Sequence, residues 1–142
     1  DFAHHATAVR ETIQGMRLRY PDRRIWAIFE PRTASAKRKV FESTYYHAFD
    51  QADQVVFAAM HRPDKVPESE RMSIANIVDQ LCKRNIPARC LTANEDLLRI
   101  LPQEARQGDI FLLMSNGDFD GIPGRLVKAL AEIHEQRGVE DE

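Results

Sequence analysis

Residues able to do chemistry gather in three places along this sequence. The first is Met114-Ser115-Asn116-Gly117-Asp118-Phe119-Asp120-Gly121-Ile122, at the junction between an apolar run and a helical pattern. Its glycines let backbone approach a ligand closely, and the free N–H groups of a following helix would face that ligand. The spacing is not a G-x-G-x-x-G fingerprint. Asp118 and Asp120 would repel a phosphate unless a cation or an amine met them, and a plain turn with a helix cap is the competing reading.

The second place is Glu30-Pro31-Arg32-Thr33, followed by Ser35, Lys37 and Arg38. An arginine fork suits carboxylate or phosphate. Cations at a helix start oppose the helix dipole, so Lys37 and Arg38 point to an anionic ligand or an acidic partner surface. A local ion pair or a solvated arginine is the plainer alternative. The third place is Asp1-Phe2-Ala3-His4-His5-Ala6-Thr7. Adjacent histidines are candidates for acid–base chemistry. Neighbours in an extended segment point opposite ways, and no Cys/His partner set accompanies them, so no metal site is expected. Solvated or capping histidines are the alternative. His47 and His134 read as surface residues, His61 is ambiguous, and Trp26 and Phe29 read as core.

Positioning these groups requires a framework, and hydrophobic period supplies one. Val9, Ile13, Met16 and Tyr20 predict a helix over 6–20 with Thr7 as N-cap. The run 25–29 predicts a strand buried on both faces. A helix is expected over 37–49, with Val40, Phe41, Thr44, Tyr45 and Ala48 on one side, and a second strand over 54–59. A polar loop, 60–68, carries Pro63 and Pro67. Ile74, Ile77, Val78 and Leu81 mark a helix reaching about residue 84, before a short strand at 88–91. Thr92 and Glu95 fit a capping box for a helix carrying Leu97, Leu98 and Leu101, which Pro102 ends or kinks. Gly108-Asp109 turns into a fourth strand, 110–114. A last helix, 123–136, would turn Leu126, Val127, Leu130 and Ile133 inward, and 139–142 would be a frayed tail. The alternation implies an α/β, Rossmann-like three-layer domain with a mostly parallel sheet and helices on both faces. Right-handed crossovers favour the strand order 3-2-1-4. Ligands then bind outside the carboxyl ends of strands 1 and 4, where the order reverses. Those ends are Glu30-Pro31-Arg32 and Ser115-Asn116-Gly117.

A chain of 142 residues suits one domain, and 43% apolar with 30% charged residues is an ordinary globular balance. A net charge of −2 gives no global case for nucleic acid or an anionic membrane. The clusters Arg17-Leu18-Arg19, Arg23-Arg24 and Lys37-Arg38-Lys39 read as solvated surface. No apolar run approaches the ~18 residues of a membrane span. No signal peptide is legible, and a chain opening on Asp1 is expected to lack its natural N-terminus. Cys82 and Cys90, outside any C-x-x-C, read as two buried thiols in a reducing compartment, hence the cytoplasm.

Taken together and in order, the three segments resemble the Mur ligases. Asp1-Phe2-Ala3-His4-His5-Ala6-Thr7 is similar to D-Y-[AG]-H-x-P-[TD], where the central ATPase domain hands over to the C-terminal domain. Glu30-Pro31-Arg32-Thr33-Ala34-Ser35-Ala36-Lys37 resembles the E-P-R-[ST]-x-[ST]-x-K of the murein peptide ligase branch. The L-alanine-adding branch has a Q-P-H-R-like segment there. Ser115 to Ile122 is similar to S-N-G-x-F-x-G-I of the murein peptide ligase branch. Phe2 for Tyr, Ala6 for Pro, and Asp118 and Asp120 for glycine depart from the pattern.

The resemblance implies that 1–142 is a Mur ligase C-terminal domain, with 1–7 as interdomain linker motif. The central ATPase and N-terminal UDP-binding domains would lie outside this chain, so the fragment alone would be inactive. It implies ATP and Mg²⁺, with the Mg²⁺ ligands in the central domain. The partners would be UDP-N-acetylmuramic acid, a recycled L-alanyl-γ-D-glutamyl-meso-diaminopimelate tripeptide and the enzyme's own other domains, without nucleic acid or membrane. Asp1, Phe2 and His4 would face the nucleotide. His5 and Arg32 would be catalytic. Arg32, Lys37 and Arg38 would neutralise carboxylates or an acyl phosphate, Ser115 and Asn116 would line the amine-substrate pocket, and Asp118 with Asp120 would suit a distal ammonium. The alternatives are the C-terminal domain of an L-alanine-adding ligase or a non-catalytic α/β binding module.

Overall fold

The computed structural model describes residues 5–31, 39–59, 66–115 and 117–140. Helix α1 (Ala6–Arg19) precedes strand β1 (Ile25–Phe29). A 3-10 helix (Lys39–Tyr45) leads to β2 (Gln54–Phe57), and a 3-10 turn (Glu68–Glu70) with α2 (Ile74–Lys83) leads to β3 (Ala88–Cys90). Helix α3 (Asp96–Glu104) precedes β4 (Ile110–Met114), and a 3-10 turn (Phe119–Gly121) opens α4 (Ile122–Glu140).

The strands form one parallel sheet in the order β3-β2-β1-β4. All five residues of β1 are buried, as the uninterrupted run Ile-Trp-Ala-Ile-Phe requires. Period-two alternation divides that strand between two cores. Ala27 and Phe29 pack with Val9 and Ile13 of α1, Phe49, and Ile77 and Leu81 of α2. Trp26 and Ile28 pack with Leu97 and Leu101 of α3 and Ile122 and Leu126 of α4. Each large apolar side chain so buried contributes about 1.5–3 kcal/mol. The three-layer architecture and the strand order agree with the sequence pattern.

Local differences have identifiable causes. The N-cap of α1 is His5, not Thr7, and no side chain caps it. Over 39–51 the chain forms a 3-10 helix and turns instead of the expected α-helix, while residues 37 and 38 lie outside the described residues. The Thr44 hydroxyl donates to the Phe41 carbonyl, and the Arg84 guanidinium donates to the Tyr46 carbonyl. Such bonds compete with helical ones. The Thr92–Glu95 capping box is absent: Glu95 is itself helical and caps with no side chain. Pro102 does not end α3, which continues to Glu104. Val127 and Phe41, expected on apolar faces, are 70% and 42% exposed. Cys82 and Cys90 are free thiols, but exposed rather than buried.

Two arginines from clusters read as solvated are rivets at the amino end of the sheet. Arg17 bonds the carbonyls of Gln51 and Arg23 and pairs with Asp53 at 2.5 Å. Arg24 forks onto Asp109 at 2.6–3.1 Å, and the Trp26 indole donates to the same carboxylate at 2.9 Å. Burial pushes the Asp109 carboxyl up. Hydrogen bonds from Arg24, the Arg106 amide and Trp26, with the Arg24 charge, outweigh it and hold the group below its ordinary range. These ties anchor the base of β1 and β4 and leave the opposite edge free to serve a ligand.

Candidate functional site

The carboxyl ends of β1, β2 and β4 carry a buried polar network, in the place where a doubly wound sheet binds ligands. Glu30 follows β1 directly, and its amide continues the ladder by donating to the Met114 carbonyl at 3.0 Å. The side chain is only 1% exposed. It accepts the Ser115 hydroxyl at 2.7 Å on one oxygen and the Asn94 amide nitrogen at 3.0 Å on the other. A buried carboxylate persists only when hydrogen-bonded or paired, and bonds to charged groups are each worth about 1.5–3 kcal/mol.

Asn94 is 7% exposed and lies just before α3. Its Oδ1 accepts the Ala59 amide at the end of β2 at 3.1 Å, and its Nδ2 also donates to Asp120 Oδ2 at 3.0 Å. One amide therefore joins the ends of β1 and β2 to the turn after β4. Ser115, 4% exposed, accepts the Gly117 amide at 3.1 Å, which folds the start of that turn.

The turn itself is held in unusual backbone. Phe119, Asp120 and Gly121 all have positive φ, +55°, +52° and +69°. Glycine tolerates this region, but Phe and Asp are strained there. Phe119 is compensated by burial at 2% exposure in the α3–α4 core. Asp120 is compensated by its bond from Asn94 and by Asp118, whose Oδ1 accepts the Asp120 amide at 3.2 Å. Strain of this kind gathers at functional sites.

Of the residues nominated from sequence, Ser115 lies in the network. Asp118 borders it as the turn's cap, while Asp120 is the carboxylate turned onto Asn94. His5 is exposed at the start of α1, where its carbonyl accepts the Val9 amide at 2.9 Å. Helix α1 ends where the chain turns into the amino end of β1, so His5 lies at the carboxyl edge. Asp1, Phe2, His4, Arg32, Lys37, Arg38 and Asn116 lie outside the described residues. Sequence reasoning read Glu30 with Arg32 as an acid and a base at a strand end, with a local ion pair as the plainer alternative; the structure shows the Glu30 carboxylate buried and bonded to Ser115 and Asn94. Asn94 was missed altogether, because the Thr92–Glu95 spacing drew the segment into a capping box. A separate open hollow, lined by Arg106, Phe111, Leu130, His134 and Arg137, sits at the amino end of β4, away from this network.

A four-stranded parallel sheet with a buried polar network at its switch point defines a doubly wound α/β domain, and comparison narrows the class. The model of the Mur ligase glutamate ligase domain matches residues 1–117. A UDP-N-acetylmuramate–L-alanine ligase of Desulfitobacterium hafniense (strain Y51) is 32% identical over 127 residues, 89% of this chain and 28% of that protein. The structure of a murein peptide ligase from Psychrobacter arcticus 273-4 superposes with a TM-score of 0.73 at 29% identity, covering 92% of this chain and 26% of that one. A UDP-N-acetylmuramate–alanine ligase from Thermotoga maritima shares the fold at a TM-score of 0.70 and 20% identity. The chain belongs to the Mur ligase family and is a C-terminal domain of that family. It spans about 28% of the length of the curated relative from Desulfitobacterium. Among the described residues, no helix is long and apolar enough to cross a membrane.

Proposed function

We propose that this chain is the C-terminal domain of a cytoplasmic, ATP-dependent ligase that joins recycled L-alanyl-γ-D-glutamyl-meso-diaminopimelate to UDP-N-acetylmuramic acid. The observation that carries the reading is the junction of β1 with β4. The Glu30-Pro31-Arg32 segment and the Ser115-Asn116-Gly117 segment, which resemble the murein peptide ligase branch, meet there through the Glu30–Ser115 bond of 2.7 Å. The likeness to the Psychrobacter structure supports the same reading.

The chemistry is amide formation. The lactyl carboxylate is activated as an acyl phosphate by ATP. The amine of the incoming L-alanyl group attacks that carbonyl, loses a proton, and expels inorganic phosphate. Residues 1–7, the last two of which open α1, carry the linker motif to a central ATPase domain, α4 runs on to Glu140 where a tail from 139 was expected, and the UDP-binding domain lies further upstream. Asp1, Phe2 and His4 serve the nucleotide, and His5 stands near the reacting groups. Arg32, Lys37 and Arg38 neutralise substrate carboxylates and the acyl phosphate, as forked and point cations do. Ser115 and Asn116 line the amine pocket, and Asp118 and Asp120 meet the distal ammonium of the diamino acid. Among the described residues no group of His, Cys, Asp or Glu is placed to hold a metal. Mg²⁺ would be held by the central domain, where it would neutralise phosphate charge.

One observation favours a second reading, the L-alanine-adding ligase: the Desulfitobacterium relative, at 32% identity, carries that name. ADP release and product mass, measured on the intact enzyme with Mg²⁺, ATP and UDP-N-acetylmuramic acid, separate the two. Turnover with tripeptide and little with L-alanine is the expected result. Turnover with L-alanine alone moves the enzyme to the second reading, and amide formation with neither overturns both.

A further inference from the structure

We infer that Asn94 is a positioning residue for the amine-adding step, a strut that sets the spacing of the strand-end loops around the incoming amine substrate. The inference rests on the proposed ligase function and adds to it a residue outside every motif of the resemblance.

Asn94 must accept one hydrogen bond, from the Ala59 amide, and donate two from a single nitrogen, to Glu30 and to Asp120. A side-chain amide can do all of this; a carboxylate has no proton to give, and a hydroxyl has only one. Both acceptors are carboxylates, so the amide screens two negative groups that share one nitrogen at 3.0 Å each. Glu30 is fixed from its other side by Ser115, which in turn bonds the Gly117 amide. Asp120 is the exposed member, on left-handed backbone at φ +52°. Asn94 thus links the chain after β1, β2 and β4 and holds Asp120, the only carboxylate on positive-φ backbone among the described residues. A shift of a single bond there would carry Ser115 and Asp120 together. Misplacement by about 1 Å suffices to cost a reaction of this kind roughly a hundredfold.

The test is the intact enzyme with Asn94→Asp. That change keeps the shape and the Ala59 bond but turns both donors into acceptors facing carboxylates. The expected result is a rise of at least tenfold in the KM for the amine substrate, with KM for ATP and for UDP-N-acetylmuramic acid unchanged. Asn94→Ser, which leaves at most one donation and adds no charge, should shift the same KM and stands in if the aspartate variant does not fold. An amine KM within twofold of wild type in every folded variant overturns the inference. So does a rise in all three KM values in step with a lower Tm, since a scaffold residue would do that. Wild-type turnover, measured first, separates the failures. No amide formation by wild type with either amine sinks the proposed function and this inference with it. Turnover with unmoved KM values sinks the strut alone.

Discussion

Replacing Glu30 by alanine tests whether the network at the strand ends is held by hydrogen bonding. The carboxylate is 1% exposed and accepts Ser115 at 2.7 Å and Asn94 at 3.0 Å. Alanine leaves the serine hydroxyl and one amide N–H facing a void. Orphaned buried donors cost about 1–3 kcal/mol each, so the pair is worth roughly 2–6 kcal/mol. Relief of the carboxylate's own desolvation works the other way and places the expected loss near 3 kcal/mol. For a domain of this size that lowers Tm by about 10 °C. Glu30→Gln keeps the shape. Its amide oxygen can face Asn94 and its nitrogen can face Ser115 if the hydroxyl rotates, so the expected loss is about 1 kcal/mol. Thermal and urea unfolding followed by circular dichroism measure both, with an unchanged m-value confirming that the native state is comparable. An alanine variant within about 1 kcal/mol of wild type would refute the reasoning, because the orphaned-donor cost sets that floor. A glutamine variant as damaged as the alanine one would show that charge, not hydrogen bonding, holds the site.

Further outcomes follow from the rest of the fold. Asp109→Asn should cost about 3 kcal/mol at neutral pH, since it breaks a largely buried pair with Arg24 while leaving the guanidinium in place. The folded-state pKa of Asp109 is depressed. Its stabilisation is therefore fully present above the unfolded value of about 3.9 and is lost as pH falls through the folded value. The gap between wild type and Asp109→Asn should accordingly close in acid; a gap independent of pH would contradict the ion-pair account. Gly121→Ala should cost about 1–2 kcal/mol from backbone alone. The residue sits at φ +69° with open space where the new methyl would lie. Equilibrium unfolding at unchanged activity would confirm that origin, and a stabilised variant would contradict it.

What the sequence determined by itself was the framework. Short unbroken apolar runs in 25–29 and 54–59 and period 3.6 in 6–20 and from 74 to about 84 are properties of single segments, and burying their apolar faces leaves few arrangements. Short parallel connections and right-handed crossovers then select the order 3-2-1-4 and with it the edge that binds ligands. The nominated Ser115 and Asp118 accordingly lie at that edge. Tertiary structure alone decided which polar groups meet there. Glu30 and Ser115 are 85 residues apart, and Glu30 and Asn94 are 64 apart. No local pattern encodes such a bond, because it depends on strands packing side by side in register. For the same reason Thr92 and Glu95 looked like a cap: their spacing is local, whereas the claim on Asn94 comes from β1, β2 and the turn after β4. Arg17 and Arg24 looked solvated because their acceptors, Asp53 and Asp109, arrive from 36 and 85 residues away. Period is written into neighbouring residues; a buried polar contact exists only after the chain has closed, when each donor without water must find an acceptor from whatever segment the fold delivers.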